Sequence, residues 1–342
     1  MVTFPDCAVS RALRKMVSTP LESTTHMSQG QAIVFDAPQQ LSVQTLELKA
    51  FEAADIEVEV SFSGISTGTE RLLWDGSMPP FPGLGYPLVP GYETVGTVVR
   101  AGESATVPVG ASVFVPGSYS FQGVRNIFGG AGSRLIVAHD RVVQVAPELG
   151  PKSVLLALAA TCYHALSFGG LREPVVAPDL IVGHGVMGRL LARITLALGM
   201  PAPTVWEIQP ARREGATGYA VIHPDDDPRK NYTSICDVSG DASILNGLIS
   251  RLAPGGEVVL AGFYKQDLSF AFAPAFMREA SIRIASQWKK HDLLAVTALV
   301  ESGALSLDGL ITHTLNPGRA REAYEVAFGD PQCLKMMVDW RA

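Results

Sequence analysis

Leu180-Ile181-Val182-Gly183-His184-Gly185-Val186-Met187-Gly188 is the stretch that decides the fold. Its first three residues predict a short buried strand, and the run from Gly188 to Leu198 has the apolar spacing of an amphipathic helix. Between them stands a G-x-G-x-x-G pattern. The pattern alone is weak, and its position between a strand and a helix gives it meaning. Gly183 permits the tight turn, Gly185 lets backbone approach a pyrophosphate, and Gly188 lets helix and strand pack closely. A helix N-terminus offers free N–H groups and the positive end of the helix dipole to such an anion. Gly183, Gly185, Val186, Met187 and Gly188 are therefore candidate dinucleotide contacts. A plain glycine turn with no ligand is the alternative.

Working outward, Thr204-Val205-Trp206-Glu207 reads as the next strand, and Glu207 lies 24 residues after Gly183. An acidic residue is expected ~20 residues on, where it accepts hydrogen bonds from the adenosine ribose and repels a 2′-phosphate. Glu207 thus favours NAD over NADP. Arg212 and Arg213 follow closely. They either bind a 2′-phosphate, lie along the adenine, or form a solvated face. Ser234–Val238 and Glu257–Ala261 read as further strands, with a helix between them ending at Pro254-Gly255-Gly256. Strands alternating with helices predict a parallel sheet with right-handed crossovers. Ser153–Phe168 is helix-like.

From Gln31 to Pro147 the pattern is different: short Val/Ile-rich runs broken by Gly and Pro, such as Thr94–Val99 and Ser112–Val115. That predicts an antiparallel β domain. After Asp292 come helix-like runs around Leu293–Ser302 and Gly318–Phe328, then a closing strand, Lys335–Val338. The expected organisation is a tail over 1–29, a β domain over 30–150, a dinucleotide domain over 151–291, and a returning segment over 292–342.

Bulk properties narrow the function. Net charge is −6, with acidic and basic residues mixed along the chain, so there is no basic face for nucleic acid. No run reaches the ~18 apolar residues of a membrane span. Cys7, Cys162, Cys236 and Cys333 are far apart, which argues against a disulfide framework and for a reducing, cytoplasmic setting. The first 29 residues are rich in Ser and Thr, with Arg11, Arg14 and Lys15 but no apolar signal core. They read as a disordered tail or as an over-extended start, with Met16 and Met27 as other initiation points.

The order of domains resembles the medium-chain dehydrogenase/reductase superfamily. Val89-Pro90-Gly91-Tyr92-Glu93-Thr94-Val95-Gly96 is similar to its P-G-H-E-x-x-G segment, Gly110–Val113 to its G-D-x-V turn, and Leu252–Gly256 to the turn before its fifth cofactor-domain strand. The resemblance implies an α/β fold: a GroES-like β-rich catalytic domain plus a Rossmann doubly wound parallel-sheet cofactor domain. In the zinc-dependent branch a Cys, a His and a further Cys or Glu hold the catalytic metal. The matching positions here are Ser66, Tyr92 and approximately Ala157, none a good zinc ligand. The structural-zinc lobe needs four clustered cysteines, and Pro116–Leu135 has none. Cys162 and His164 lack companion ligands. No metal is expected.

A finer resemblance covers Phe62–Gly76, Met78–Glu93 and Ile127–Arg134. These segments resemble the 3-hydroxyethyl bacteriochlorophyllide a dehydrogenase family of bacteriochlorophyll synthesis in photosynthetic bacteria. The resemblance implies NAD-dependent oxidation of the 1-hydroxyethyl side chain of a Mg-tetrapyrrole to acetyl, and the superfamily implies a homodimer through the cofactor domain. Without zinc, side-chain donors must stabilise the developing alkoxide. Tyr92 and Ser66 stand at the former ligand positions, and Tyr92 is the first choice for holding the reacting oxygen and relaying its proton. A free tyrosine pKa of ~10 is high for a base, so a neighbour must assist. His164 is the candidate, or else a structural histidine. Glu70 and Glu93 orient these groups or cap turns. Thr67 and Thr69 are placed to contact nicotinamide or substrate. Trp74, Met78, Phe81, Phe121 and Phe128 are candidates for an apolar lip against the flat macrocycle, with ordinary packing as the alternative. A polyol or quinone oxidoreductase of the same superfamily, or a non-catalytic NAD-binding sensor, remains open on sequence alone.

Overall fold

The computed structural model describes residues 28–167 and 175–342. The expected tail lies outside the described residues up to position 27. Ser28 and Gln29 are already in the first sheet, because the Ser28 carbonyl accepts from Leu48 N at 2.8 Å and Gln29 pairs with Glu47.

The amino-terminal half is β-rich. Its strands are β1 (Gln29–Ala37), β2 (Gln40–Glu47), β3 (Asp55–Ile65), β4 (Leu88–Val89), β5 (Thr94–Ala101), β6 (Ser112–Val115), β7 (Arg125–Asn126), β8 (Arg134–Ala138) and β9 (Val143–Gln144). A single short helix, α1 (Thr69–Asp75), interrupts them. β3 is the hub: it pairs antiparallel with β5 on one side and β8 over its first half. Its period-two pattern breaks at Glu57, which is buried; Arg134 on β8 neutralises it at 3.0 Å.

The carboxyl half holds α2 (Leu156–Ser167), β10 (Leu180–Val182), α3 (Val186–Ala197), β11 (Thr204–Trp206), β12 (Ala220–Ile222), β13 (Tyr232–Asp237), α4 (Leu245–Arg251), β14 (Leu252–Leu260), α5 (Phe272–Met277) and β15 (Ser281–Ile284). Among the described residues these strands form one parallel sheet in the order β12-β11-β10-β13-β14-β15. β10 and β13 are its centre, and Leu180, Ile181 and Val182 are all buried, as expected for a parallel strand covered on both faces.

Two helices differ from the sequence expectation. The 147–155 stretch is 3₁₀, with Pro151 and Gly150 at φ +48° breaking it, so the α-helix begins only at Leu156. The helix before β14 stops at Arg251, not at the Pro-Gly-Gly, and Leu252 is already paired with Tyr232. Pro254 pushes the residues before it towards extended backbone.

The chain then runs through α6 (Lys290–Glu301), β16 (His313–Leu315), α7 (Ala320–Gly329) and β17 (Met336–Asp339). Leu293, Val296 and Val300 of α6 share a core with α2 and α3. β17 returns to pair antiparallel with β3, setting Met336 opposite Ile65 and Met337 opposite Gly64. The last strand therefore lies directly beside the turn that carries Ser66. No helix of the described residues is long and apolar enough to cross a membrane.

Candidate active site

The glycine turn has the geometry its three glycines predict. Gly183 has φ +100°, a conformation that side chains rarely adopt. A Cβ on Gly188 would sit 1.8 Å from the Gly183 carbonyl oxygen, so only glycine lets α3 approach β10 this closely. A Cβ on Gly185 would meet nothing within 4 Å. That open space lies at the N-cap of α3, where the first N–H groups lack intrahelical acceptors. The turn thus leaves room for an anion beside free backbone N–H groups. Met187 and Val186 begin the helix, with the Met187 carbonyl 3.5 Å from the Cys162 sulfur. Cys162 is accordingly a buried core thiol.

Glu207 follows β11 and is 7% exposed. His184 N donates to one of its oxygens at 2.9 Å and Gln209 N to the other at 2.8 Å. Each carboxylate oxygen keeps a further lone pair that these two donors do not use. Arg212 points elsewhere: its Nε donates to the Pro331 carbonyl at 2.7 Å, beyond α7.

At the other end, β3 and the loop before β5 bring Ser66 and Tyr92 together. The Tyr92 hydroxyl donates to Ser66 Oγ at 2.8 Å, and Thr69 also hydrogen-bonds the phenol. Burial, reinforced by the Glu93 charge, raises the phenol pKa and holds it protonated. Because Ser66 Oγ accepts a hydrogen bond from Tyr92, its own proton is free to be donated to a bound oxygen. Thr67 is half-buried on the same turn. Phe128 meets the Tyr92 ring edge-on, with centroids 5.1 Å apart.

Beneath this pair lies a buried charge cluster. Ser66 N donates to Glu70 at 3.1 Å, and the Tyr324 hydroxyl donates to the other Glu70 oxygen at 2.9 Å. Glu93 is ion-paired with Lys335, whose Nζ also donates to the Ile65 carbonyl at 3.0 Å. Two carboxyls share one ammonium, all buried. Burial, then the Glu93 charge, pushes Glu70 up to about 8 from 4.5. The folded chain therefore keeps a proton that the unfolded chain releases, and stability falls as pH rises from about 4.5 to about 8. Denaturation midpoints across that window should show this slope, and Glu70→Gln should flatten it.

His164 is tied elsewhere. Its Nδ1 lies 2.8 Å from Asp292 on α6, and that carboxylate also accepts from Ser167 Oγ at 3.1 Å and Lys289 N at 2.8 Å. The partners of Tyr92 are Ser66 and Thr69, and the partner of His164 is Asp292. The lip candidates also separate. Trp74 stacks on Tyr324, with centroids 6.1 Å apart, and meets Phe35 edge-on at 5.4 Å. Phe121 is buried and Met78 packs against the same core. Phe81 is exposed, and Phe128 is the candidate in contact with Tyr92.

The zinc-ligand positions fit no zinc. Ser66 and Tyr92 present hydroxyls bonded to one another, and Ala157 is a buried core residue with no donor. Among the described residues no group of three His, Cys, Asp or Glu could hold a metal.

Residues 52–147 match the family model of the alcohol dehydrogenase GroES-like domain. The chain is similar to the 2-desacetyl-2-hydroxyethyl bacteriochlorophyllide A dehydrogenase of Rhodobacter capsulatus. Identity is 52% over 312 residues, covering 91% of this chain and 98% of that protein. This chain belongs to that dehydrogenase family. The Cereibacter sphaeroides member is 52% identical over 316 residues, with the same 91% and 98% coverage. The fold of this chain matches a short chain alcohol dehydrogenase of Escherichia coli CFT073 solved with cofactor NADH. The TM-score is 0.77 at 20% identity, covering 92% of this chain and 100% of that one. The α/β architecture, a GroES-like domain joined to a Rossmann sheet, is that of an alcohol dehydrogenase.

Proposed function

We propose that this dehydrogenase oxidises the 1-hydroxyethyl substituent of a bacteriochlorophyllide to acetyl, with NAD as hydride acceptor and without zinc. The observation that carries the reading is the Tyr92–Ser66 pair, two hydroxyls 2.8 Å apart where the zinc branch of the superfamily places metal ligands. The 52% relatives support the substrate. The bound nicotinamide supplies the hydride acceptor. Ser66 donates its proton to the reacting oxygen and Tyr92 donates to Ser66 Oγ, so charge that grows on that oxygen as the hydride leaves for the nicotinamide meets a fixed chain of donors, and the hydroxyl proton it gives up passes to solvent. Tyr92 serves as a donor, because burial keeps its proton in place. Glu70 and Lys335 fix the Ser66 turn from below. Phe128, beside Tyr92, is the apolar contact for the edge of the macrocycle.

The test is an assay of the purified protein with 3-hydroxyethyl bacteriochlorophyllide and NAD. The product carbonyl extends the macrocycle's conjugation, so the long-wavelength band should shift to the red as NADH forms. Turnover should survive chelator, and metal analysis should find no stoichiometric zinc. Tight NADH binding with no hydride transfer, or oxidation of polyols in preference to the tetrapyrrole, would overturn the reading.

NAD in preference to NADP rests on Glu207. Glu207→Ala should weaken NAD binding by about tenfold and narrow the discrimination against NADP. An unchanged ratio of the two Michaelis constants would place the ribose elsewhere.

The homodimer is part of the same proposal. β15 is an edge of the parallel sheet, and edges with free backbone groups invite another strand. Ile284 on it is 72% exposed, and Phe272, Phe276 and Met277 of the neighbouring α5 are exposed as well. A second copy pairing at β15 would cover them. Light scattering should give twice 36.4 kDa, and Ile284→Lys should give the single-chain mass. The described cysteines, Cys162, Cys236 and Cys333, are free and buried, which suits a reducing cytoplasm.

A further inference from the structure

Between Gly183 and Gly185 of the turn stands His184, and the cofactor chemistry above makes no use of its ring. His184 is 0% exposed. Both its ring nitrogens reach the loop that follows Glu207. Nδ1 lies 2.6 Å from the Arg212 carbonyl, and Nε2 lies 2.8 Å from the Tyr219 hydroxyl. A carbonyl only accepts, so Nδ1 carries the proton. Nε2 is then an acceptor, and Tyr219 donates to it. Burial brings the imidazole pKa down to about 4, which keeps this neutral tautomer at neutral pH. Arg189 of α3 works on the same loop. Its Nη2 donates to the Arg212 carbonyl at 3.1 Å and the Glu214 carbonyl at 2.8 Å, and its Nε to the His184 carbonyl at 3.2 Å. The loop backbone at residue 212 is thus held by two buried donors from the turn and helix. With that backbone fixed, the Arg212 guanidinium is committed to Pro331.

We propose that His184, braced by Tyr219, is a positioning residue for cofactor choice: it holds residues 207–219 in the shape that leaves Glu207, and not Arg212, facing the adenosine ribose. This rests on the placement of the dinucleotide at Gly183–Gly188. Without the brace, the loop gains freedom and the Arg212 side chain can turn from Pro331 to a 2′-phosphate. The effect falls on binding and selectivity, because His184 lies at the adenosine end and Tyr92 and Ser66 hold the reacting oxygen.

The experiment compares His184→Ala, His184→Asn and Tyr219→Phe. It reads KM for NAD and for NADP, kcat, and NADH affinity by fluorescence. His184→Ala should raise the KM for NAD about tenfold, cut the NAD:NADP preference about tenfold, and leave kcat within about twofold. His184→Asn keeps a donor towards the Arg212 carbonyl and should recover part of the preference. Tyr219→Phe removes a single oxygen and should lower the preference about threefold, which keeps the test open if His184→Ala does not fold. A wild-type preference in Tyr219→Phe and His184→Asn overturns the proposal, as does a fall in kcat with the preference intact. Gly185→Val separates the two levels. If it leaves NADH binding unchanged, the dinucleotide is not at the turn. If it abolishes binding while the His184 and Tyr219 variants keep the wild-type preference, only the brace is wrong.

Discussion

Tyr92→Phe should lower kcat by roughly 10²-fold while leaving NADH affinity within about twofold, the signature of a donor that acts on the reacting oxygen in the transition state. The phenol sits in a place where little else can replace it. Its hydroxyl meets Ser66 Oγ at 2.8 Å, and its ring is fixed edge-on to Phe128. Phenylalanine keeps the ring contact and removes only the O–H. Ser66→Ala should produce a smaller loss, because Tyr92 would then donate to the substrate oxygen directly. The double variant should be no worse than about the Tyr92 variant if the two act as one unit. Steady-state kinetics with the hydroxyethyl substrate, alongside NADH fluorescence titration, decide it. A Tyr92→Phe enzyme with wild-type turnover would remove the phenol from the chemistry.

Gly188→Ala and Gly185→Ala should fail in different ways. At Gly188 the new methyl would lie 1.8 Å from the Gly183 carbonyl oxygen, so α3 must retreat from β10 by over an ångström. Such overpacking costs ~3 kcal/mol, equivalent to about 10²-fold in cofactor affinity if the turn absorbs it, or a lower melting temperature if the whole sheet does. At Gly185 a methyl meets no protein atom within 4 Å. Stability should stay unchanged while NADH affinity falls, because the methyl stands where a diphosphate approaches. Thermal melts with and without NADH separate the two. Equal stability and equal affinity in both variants would mean that the turn carries no cofactor.

The legibility of these features follows sequence distance. Gly183, Gly185, Gly188 and Glu207 are legible as candidates because strand, turn, helix and acid lie within 28 residues, and each residue type answers a local demand. The hydroxyl pair was also visible, since Ser66 and Tyr92 fall in two recognisable segments of the β domain. What supports them was not. Lys335 reaches Ile65 across 270 positions, Tyr324 reaches Glu70 across 254, and Asp292 reaches His164 across 128. No periodicity encodes such contacts; Lys335 arrives because β17 is laid beside β3, Tyr324 because α7 packs into the same core, and Asp292 because α6 packs against α2. His164 shows the consequence. A histidine near the crossover reads equally as a helper for Tyr92 or as a structural histidine, and its ring nitrogen meets the carboxylate of Asp292 at the start of α6. Trp74 is a second case: loop composition suggested a substrate contact, and the ring is spent on Tyr324 and Phe35. His184 was in plain view inside the glycine motif, but its role depends on where the loop to Tyr219 folds back.

The position of Lys335 orders the making of the enzyme in time. A ribosome completes the nucleotide-binding sheet at Ile284 and only later delivers the ammonium that closes the floor under Ser66. Until then Glu93 lacks its counter-charge, so a chain still short of β17 has the whole parallel sheet but an open floor beneath Ser66 and Tyr92. The support of the proposed site is the last thing translation adds.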